Sequence, residues 1–208
     1  PEIAIAKGVG KDIPVLIGTN KDEYRLFTFF DPTWEQIDEA GMVHRLNKML
    51  GPLWQGIEAH VMNQRLDRNL FEKVMSFQIF TFPAVRLAEQ QVRYGSLVWM
   101  YRFDWESPVF EGGLKATHAM EIPFVWNNIN KPGMENLIGD SPDQNIANQM
   151  NQSWIAFARN GSPNTPILPD WEPYSKGTRP TMLFNVESKV ANDPDKEERL
   201  IWKNASDV

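Results

Sequence analysis

An uninterrupted apolar run, Ile13-Pro14-Val15-Leu16-Ile17, lies near the start of the chain and ends at Gly18. Because the run does not alternate with polar residues, it predicts a strand buried on both faces, which needs parallel neighbours and covering helices. A second run rich in β-forming residues extends from Ser96 to Phe103, and helical patterns fill the sequence between the two. That separation is too long for a hairpin, so we predict a parallel pair joined by a right-handed crossover.

Helical periodicity with capping and stop signals predicts most of the remaining elements. The predicted helices run from a capping box at 33–36 to Gly51, around Trp54, from Asp67 through a bend or restart at Pro83 to Gly95, and from a second capping box at 141–144 to Gly161. After Gly161 we expect a loop-rich tail with one short strand, Thr181–Phe184.

The predicted strands are too few for a complete sheet of this kind. Two strands, or three with the tail, leave strand edges without partners and strand faces without cover. We therefore predict an α/β fold of which this chain is an incomplete part, with a small α+β domain as the alternative. Since the chain opens at Pro1 and not at methionine, we expect further residues before it in the natural protein.

Composition restricts the class of partner. The 208 residues are 42% hydrophobic and carry a net charge of -6, which is typical of a globular protein without a broad basic surface. We therefore expect neither nucleic acid nor a membrane as a partner, and we find no apolar stretch long enough for a spanning helix. The chain has no cysteine, which favours a reducing cytoplasm over an oxidising compartment.

Polar clusters follow both predicted strands, where open parallel sheets collect their reactive groups. The first cluster ends at Glu23, and the loop after the second strand reaches His118. Taken singly, Glu23 could be a helix cap or a solvated charge, and His118 a structural or solvated histidine. The order strand, acid, helices, strand, histidine matches the later part of the order found in α/β-hydrolases. Glu121, three residues after His118, is interpreted as a structural carboxylate at the start of the next helix.

Four segments carry a resemblance to a known family. They are the acid segment 13–23, the strand segment 98–105, the histidine segment 118–126 and the segment 154–164 that contains the late helix and its exit. In this order they resemble the C-terminal region of type B carboxylesterases, and most of all the bacterial para-nitrobenzyl esterases. One departure is Tyr24, where the family often has glycine after the glutamate.

The resemblance implies one α/β-hydrolase domain of which residues 1–208 form the C-terminal portion, a mostly parallel sheet with flanking helices that is incomplete without the N-terminal part. Its predicted parts are the acid strand and loop at 13–23, a helical insertion at 33–94, the strand and histidine loop at 96–126, the late helix at 142–160 and a tail at 162–208. It further implies carboxylic ester hydrolysis through a Ser-His-Glu triad, with Glu23 as the acid and His118 as the base. The residues expected to line the substrate site are Leu26, Phe27, Phe77 and Phe80.

The nucleophile is missing from this sequence. There is no G-x-S-x-G motif and no glycine pair ahead of the first strand, so the resemblance implies that the serine and the oxyanion hole lie upstream of Pro1. The expected partners are a small ester and the missing N-terminal part, in a bacterial cytoplasm. No metal or organic cofactor is implied, because a triad generates its nucleophile by proton transfer. The alternative is a non-catalytic binding or adhesion module of the same fold, which the presence of both Glu23 and His118 disfavours.

Overall fold

A computed structural model of the chain describes residues 2–206. In chain order its α-helices are α1 (Glu2–Ala6), α2 (Arg25–Phe29), α3 (Glu39–Leu50), α4 (Pro52–Met62), α5 (Arg68–Ser76), α6 (Phe82–Arg93), α7 (Ile122–Val125), α8 (Glu135–Ile138), α9 (Gln144–Asn160) and α10 (Lys196–Ser206). The strands are β1 (Val15–Asn20), β2 (Val98–Phe103), β3 (Pro180–Phe184) and β4 (Lys189–Asn192).

The strands form one mixed sheet in the order β1-β2-β3-β4, in which β1, β2 and β3 are parallel and β4 is antiparallel. The predicted parallel pairing of the first two strands is confirmed. Gly18 lies opposite Tyr101 in that pair, and a Cβ atom on Gly18 would come within 2.3 Å of the Tyr101 carbonyl oxygen. Only glycine therefore permits the close approach of β1 and β2 beside the acid loop.

The prediction that the first strand is buried on both faces is wrong for the described chain. Residues Val15–Thr19 are only partly buried, and Ile13 is 61% exposed. The reason is that β1 is an edge strand: within residues 2–206 it pairs only with β2. An apolar strand with one open edge is the arrangement expected where further sheet is to be added.

Two predicted helix starts are wrong by a few residues. Thr33 does not cap α3; residues Trp34–Gln36 form a short 3₁₀ turn, and the Asp38 carboxylate caps α3 by accepting the Gly41 N–H. In the same way Asp143, and not Ser141, caps α9. In both cases a nearby aspartate with extended backbone supplies a charged acceptor for the unpaired amides of the first turn.

The helical layer between β1 and β2 contains an irregular turn. Between α5 and α6 the chain forms a π-helical turn, Phe77–Thr81, and the predicted restart at Pro83 is confirmed because α6 begins with this proline in its first turn. Proline has no N–H to donate and cannot continue a regular helix, so a local change of hydrogen bonding is expected just before it.

The tail is more ordered than predicted. The short strand is confirmed as β3, but β4 and α10 were not predicted. Helix α10 packs against α4, where Gly56 allows contact with Ala205 because a Cβ atom on Gly56 would lie 2.5 Å from that of Ala205. Trp202 of α10 is buried among the aromatic side chains of the helical layer. The tail thus completes the helical core.

Candidate active site

The carboxyl ends of β1 and β2 bring the predicted acid loop and histidine loop together. The Lys21 N–H donates to the Phe103 carbonyl at the end of β2 over 2.9 Å. The next residue, Asp22, donates its N–H to the carbonyl of Ala116 in the histidine loop over 3.0 Å. These two backbone bonds fasten the acid loop to both the second strand and the loop that carries His118.

Glu23 and His118 contact each other directly, although they lie 95 positions apart in the chain. The distance from Glu23 Oε2 to His118 Nδ1 is 2.6 Å. The Glu23 side chain is 7% exposed, whereas the His118 side chain is 42% exposed. An ionised carboxylate can only accept, so the neutral imidazole carries its proton on Nδ1 and keeps Nε2 as a free acceptor. The imidazole of the pair is therefore accessible as a base, whereas the carboxylate that holds it is buried.

Backbone geometry fixes the orientation of each side chain. The other carboxylate oxygen of Glu23, Oε1, accepts the Asn20 N–H over 2.8 Å, which leaves Oε2 for the imidazole. The residue after His118, Ala119, has φ 65°, in the left-handed region that favours glycine. A non-glycine residue held there indicates that the surrounding turn imposes the conformation that presents His118.

Burial determines the acidity of Glu23. Removal from water raises the pKa of this carboxyl above its ordinary value of 4.5, while the bonds from Asn20 and His118 oppose that change. Because the pKa of Glu23 is higher in the folded state than in the unfolded state, folding favours the protonated carboxyl. The resulting contribution to the free energy of unfolding is present in full at pH values below the unfolded-state pKa. That contribution is lost as the pH rises through the folded pKa.

We expect the Glu23 carboxyl to titrate above pH 4.5 in the folded chain, because burial is the largest influence on it. The measurement is the ¹³C shift of the glutamate carboxyl carbons as a function of pH, with the Glu23 signal identified by its loss in Glu23→Gln. A midpoint at or below 4.5 would show that the hydrogen bonds outweigh burial.

Tyr24, at the position where the family often has glycine, does not disturb the acid. Its φ of -74° needs no glycine, and its ring packs 5.2 Å from that of Phe27 and 6.0 Å from that of Phe71. The tyrosine thus connects the acid loop to the helical core while Glu23 keeps its contact with His118.

Two of the predicted substrate-lining residues lie beside the imidazole. The ring centroids of Phe27 and Phe80 are 5.7 Å and 5.1 Å from that of His118, and the two phenyl rings stack at 6.4 Å from each other. Phe80 is presented by the π-helical turn. Leu26 is half-buried in α2. An open depression of about 420 Å³ at this place is lined by Ile17, Gly18, Thr19, Glu23, Ile79, Phe80, Pro83, Ala84, Leu87, His118 and Glu121.

The predicted substrate-lining role of Phe77 disagrees with its position. Phe77 is buried in the helical core, with its ring 5.1 Å from Trp202 and 6.0 Å from Phe82. The physical reason is that the unpredicted helix α10 covers this face of the π-helical turn. No sequence pattern indicated this contact, because Trp202 lies 125 positions after Phe77.

Asn20 is a site residue that the sequence did not single out. Its side chain is buried, and its Nδ2 donates to the Thr117 carbonyl and to Glu121 Oε2, each over 2.6 Å. Glu121 lies at the residue before α7, so its predicted place at a helix start is confirmed. Asn20 appeared in the sequence only as one member of a polar cluster, and no spacing signal marks its partners.

A larger groove of about 930 Å³ lies among α1, α4, α6 and α10, and Glu23 and His118 are not among its lining residues. The acid–base pair therefore lies in the smaller depression and not in this groove. Residues 2–206 contain no cluster of three or more histidine, aspartate or glutamate side chains in an arrangement that could hold a metal ion. Over the same residues, no helix has both the length and the apolar character needed to cross a bilayer.

Comparisons with known proteins point to one family. The sequence profile described as "Carboxylesterase family" matches residues 1–202. The chain is 36% identical to the para-nitrobenzyl esterase of Bacillus subtilis (strain 168) over 206 residues, covering 96% of this chain and 40% of that protein. It is 30% identical to the phenmedipham hydrolase of Pseudarthrobacter oxydans over 198 residues, covering 93% of this chain and 40% of that protein.

Solved structures give the same result. A crystal structure of a carboxylesterase from Geobacillus stearothermophilus superposes with a TM-score of 0.83 at 36% identity, over 97% of this chain and 43% of that one. The fold is therefore the α/β-hydrolase fold, as predicted, and not a small independent α+β domain. The chain spans about 40% of the length of the curated relatives it matches.

Proposed function

Because the chain belongs to the carboxylesterase family, we propose that the complete protein hydrolyses carboxylic esters, with Glu23 and His118 as the acid and base of its triad. The observation that carries the proposal is the 2.6 Å contact between the buried carboxylate and the accessible imidazole. The serine and the oxyanion hole are proposed to come from the part of the fold that this chain does not contain.

The proposed first half-reaction forms an acyl-enzyme. His118 Nε2 removes the proton of the serine hydroxyl as its oxygen attacks the ester carbonyl, and the imidazolium then gives that proton to the leaving alkoxide. Water repeats the sequence on the acyl-enzyme, again with His118 as base, and releases the carboxylic acid. The serine regains its proton at the end, so the enzyme returns unchanged.

Glu23 is proposed to act through the imidazole and not on the substrate. Its Oε2 accepts a hydrogen bond from the Nδ1–H, which keeps Nε2 unprotonated and pointed away from the buried acid. Its charge also stabilises the imidazolium that forms when His118 takes the serine proton. This stabilisation is effective because the carboxylate lies out of water, where charge interactions are stronger.

The surroundings of His118 support a neutral, apolar ester as substrate. The stacked rings of Phe27 and Phe80 both lie beside the imidazole, and no excess of basic side chains lines the depression. Stacked aromatic walls of this kind favour aromatic or medium-chain acyl and alkoxy groups. The name of one relative, the para-nitrobenzyl esterase, refers to an aromatic ester of this class.

The proposal includes a location and a set of partners. We propose a bacterial cytoplasmic protein, supported by the absence of cysteine and by the bacterial relatives. The partners are the small ester and the N-terminal part of the same fold, which would add sheet at the open edge of β1. Nucleic acid and membranes are not proposed as partners.

The isolated 208-residue chain should not form an acyl-enzyme, because it supplies an acid and a base but no triad serine. We expect no stoichiometric release of para-nitrophenolate when the pure chain is mixed with a para-nitrophenyl ester. The chain joined to its upstream part should give a burst and an acyl adduct visible by mass spectrometry. A stoichiometric burst from the isolated chain would contradict the assignment of the nucleophile to the missing part.

A further inference from the structure

Two carboxylates, and not one, lie near the imidazole. Glu23 and Glu121 line the same depression as His118. Burial raises the pKa of Glu23, and the charge of Glu121 acts in the same direction, so the two acids are close enough to interact. An imidazole N–H can bond to any carboxylate within reach. The site therefore needs a means of keeping Glu23, and not Glu121, on Nδ1.

Asn20 contacts both acids from the last position of β1. Its backbone N–H donates to Glu23 Oε1 over 2.8 Å. Its side-chain Nδ2 donates to Glu121 Oε2 over 2.6 Å and to the carbonyl of Thr117, the residue before His118, over 2.6 Å. Since both of these groups are acceptors, the amide nitrogen must face them, and both of its protons are used.

Within residues 2–206, the Asn20 side chain also leaves one buried acceptor without a hydrogen-bond partner. Asn20 is 1% exposed, and its Oδ1 has no hydrogen-bond partner among the described residues. A buried acceptor without a partner lowers the stability of a folded protein. The Asn20 amide thus holds two acceptors with its protons while its own oxygen stays unpaired in the described part of the chain.

We propose that Asn20 is a positioning residue that determines which carboxylate bonds to His118. Its backbone N–H holds Glu23 against the imidazole. Its side-chain amide holds Glu121 away from the ring and anchors Thr117. The inference rests on the proposed esterase function and adds to it the residue that selects the orienting acid. Because the backbone N–H is independent of the side chain, substitution of Asn20 releases Glu121 and Thr117 but not Glu23. The expected defect is therefore competition by Glu121 for the imidazole.

The test uses the complete protein and a para-nitrophenyl ester. Asn20→Ala should lower kcat roughly tenfold to hundredfold, since a base displaced by a fraction of an ångström to one ångström loses that much rate. KM should change by no more than about threefold, because no substrate contact is removed. In Asn20→Ala/Glu121→Gln, the neutral amide competes poorly for Nδ1–H, so part of the lost kcat should return. A purely structural defect would not be repaired by this second substitution.

Asn69→Ala is the matched control. It removes an exposed amide that accepts from Lys115 Nζ in the histidine loop but touches neither acid, and its kcat should stay within about twofold of the unsubstituted protein. If Asn20→Ala does not give soluble protein, Asn20→Asp keeps the shape and replaces the donor by an acceptor. The same loss, and the same recovery with Glu121→Gln, are then expected.

Folded Asn20→Ala with kcat within about twofold of the unsubstituted protein would overturn the inference, as would a double variant no faster than the single one. Failure of the underlying function gives a different result. If the proposed function is wrong, either the unsubstituted protein does not turn over the ester or His118→Ala turns it over equally fast, whatever Asn20 does. If only the Asn20 inference is wrong, His118→Ala is inactive and Asn20→Ala is active.

Discussion

Replacing His118 by alanine in the complete protein should lower kcat for a para-nitrophenyl ester by a factor on the order of 10⁴–10⁶. Without the imidazole no group removes the serine proton or donates it to the leaving alkoxide. The hydrogen bond to Glu23 Oε2 is also lost. Steady-state turnover measures the loss. KM should change much less than kcat, because Phe27 and Phe80 keep the apolar surroundings of the site.

The chain supplies a control for this substitution. His44 is exposed on α3 and does not line the depression, so His44→Ala removes an imidazole of the same volume without touching the site. Its turnover should remain within about twofold of the unsubstituted protein. If His118→Ala retained turnover comparable to that of His44→Ala, His118 could not be the base.

Replacing Glu23 by glutamine should lower kcat by up to ~10⁴. The loss arises because the ring proton of His118 moves to the other nitrogen, while the ring itself stays in place. The Asn20 N–H requires an acceptor at Oε1, so the glutamine carbonyl stays there and its amide NH₂ faces His118 Nδ1. The imidazole must then accept at Nδ1 and carry its proton on Nε2. A protonated Nε2 cannot act as the base. Steady-state turnover of the complete protein measures the effect.

Glu106→Gln is the control for a lost carboxylate in the same region. Glu106 forms an exposed ion pair with Lys21 of the acid loop, and such pairs contribute little to stability. Its substitution should leave turnover within about twofold of the unsubstituted protein. A loss of equal size in Glu106→Gln and Glu23→Gln would mean that net charge, and not the orientation of the imidazole, controls the rate.

Local sequence patterns predicted the parts of the fold and site that depend on the strands. The apolar run before Gly18 and the β-rich run 96–103 became β1 and β2, and their parallel pairing brings Glu23 and His118 to one edge of the sheet. The order of residues is sufficient here because parallel strands end on the same side. The catalytic roles of the two residues remain predictions.

The errors arose where a distant or competing group decides the structure. Asp38 and Asp143 replaced Thr33 and Ser141 as helix caps, because several capping residues stood within a few positions of one another. Phe77 was predicted at the substrate site but packs against Trp202, whose helix the sequence did not predict. Contacts of this kind depend on tertiary packing, which periodicity within one segment does not encode.

Asn20 was missed for a related reason. In the sequence it is one polar residue among several after an apolar run, whereas its partners Thr117 and Glu121 lie about a hundred positions later. Only the parallel register of β1 and β2 places its amide between the two loops. A residue that acts by joining segments has no local signature, so coordinates are needed to find it.

The most direct test of the acid–base pair is the protonation state of the His118 ring. The chain has three histidines, and ¹⁵N-labelling them allows each tautomer to be observed by NMR at a pH where the rings are neutral, with the His118 signals identified by their absence in His118→Ala. We predict a proton on Nδ1 and none on Nε2, with the proton moved to Nε2 in Glu23→Gln. A proton on Nε2 in the unsubstituted chain would contradict the assignment of Glu23 as the acid that orients His118.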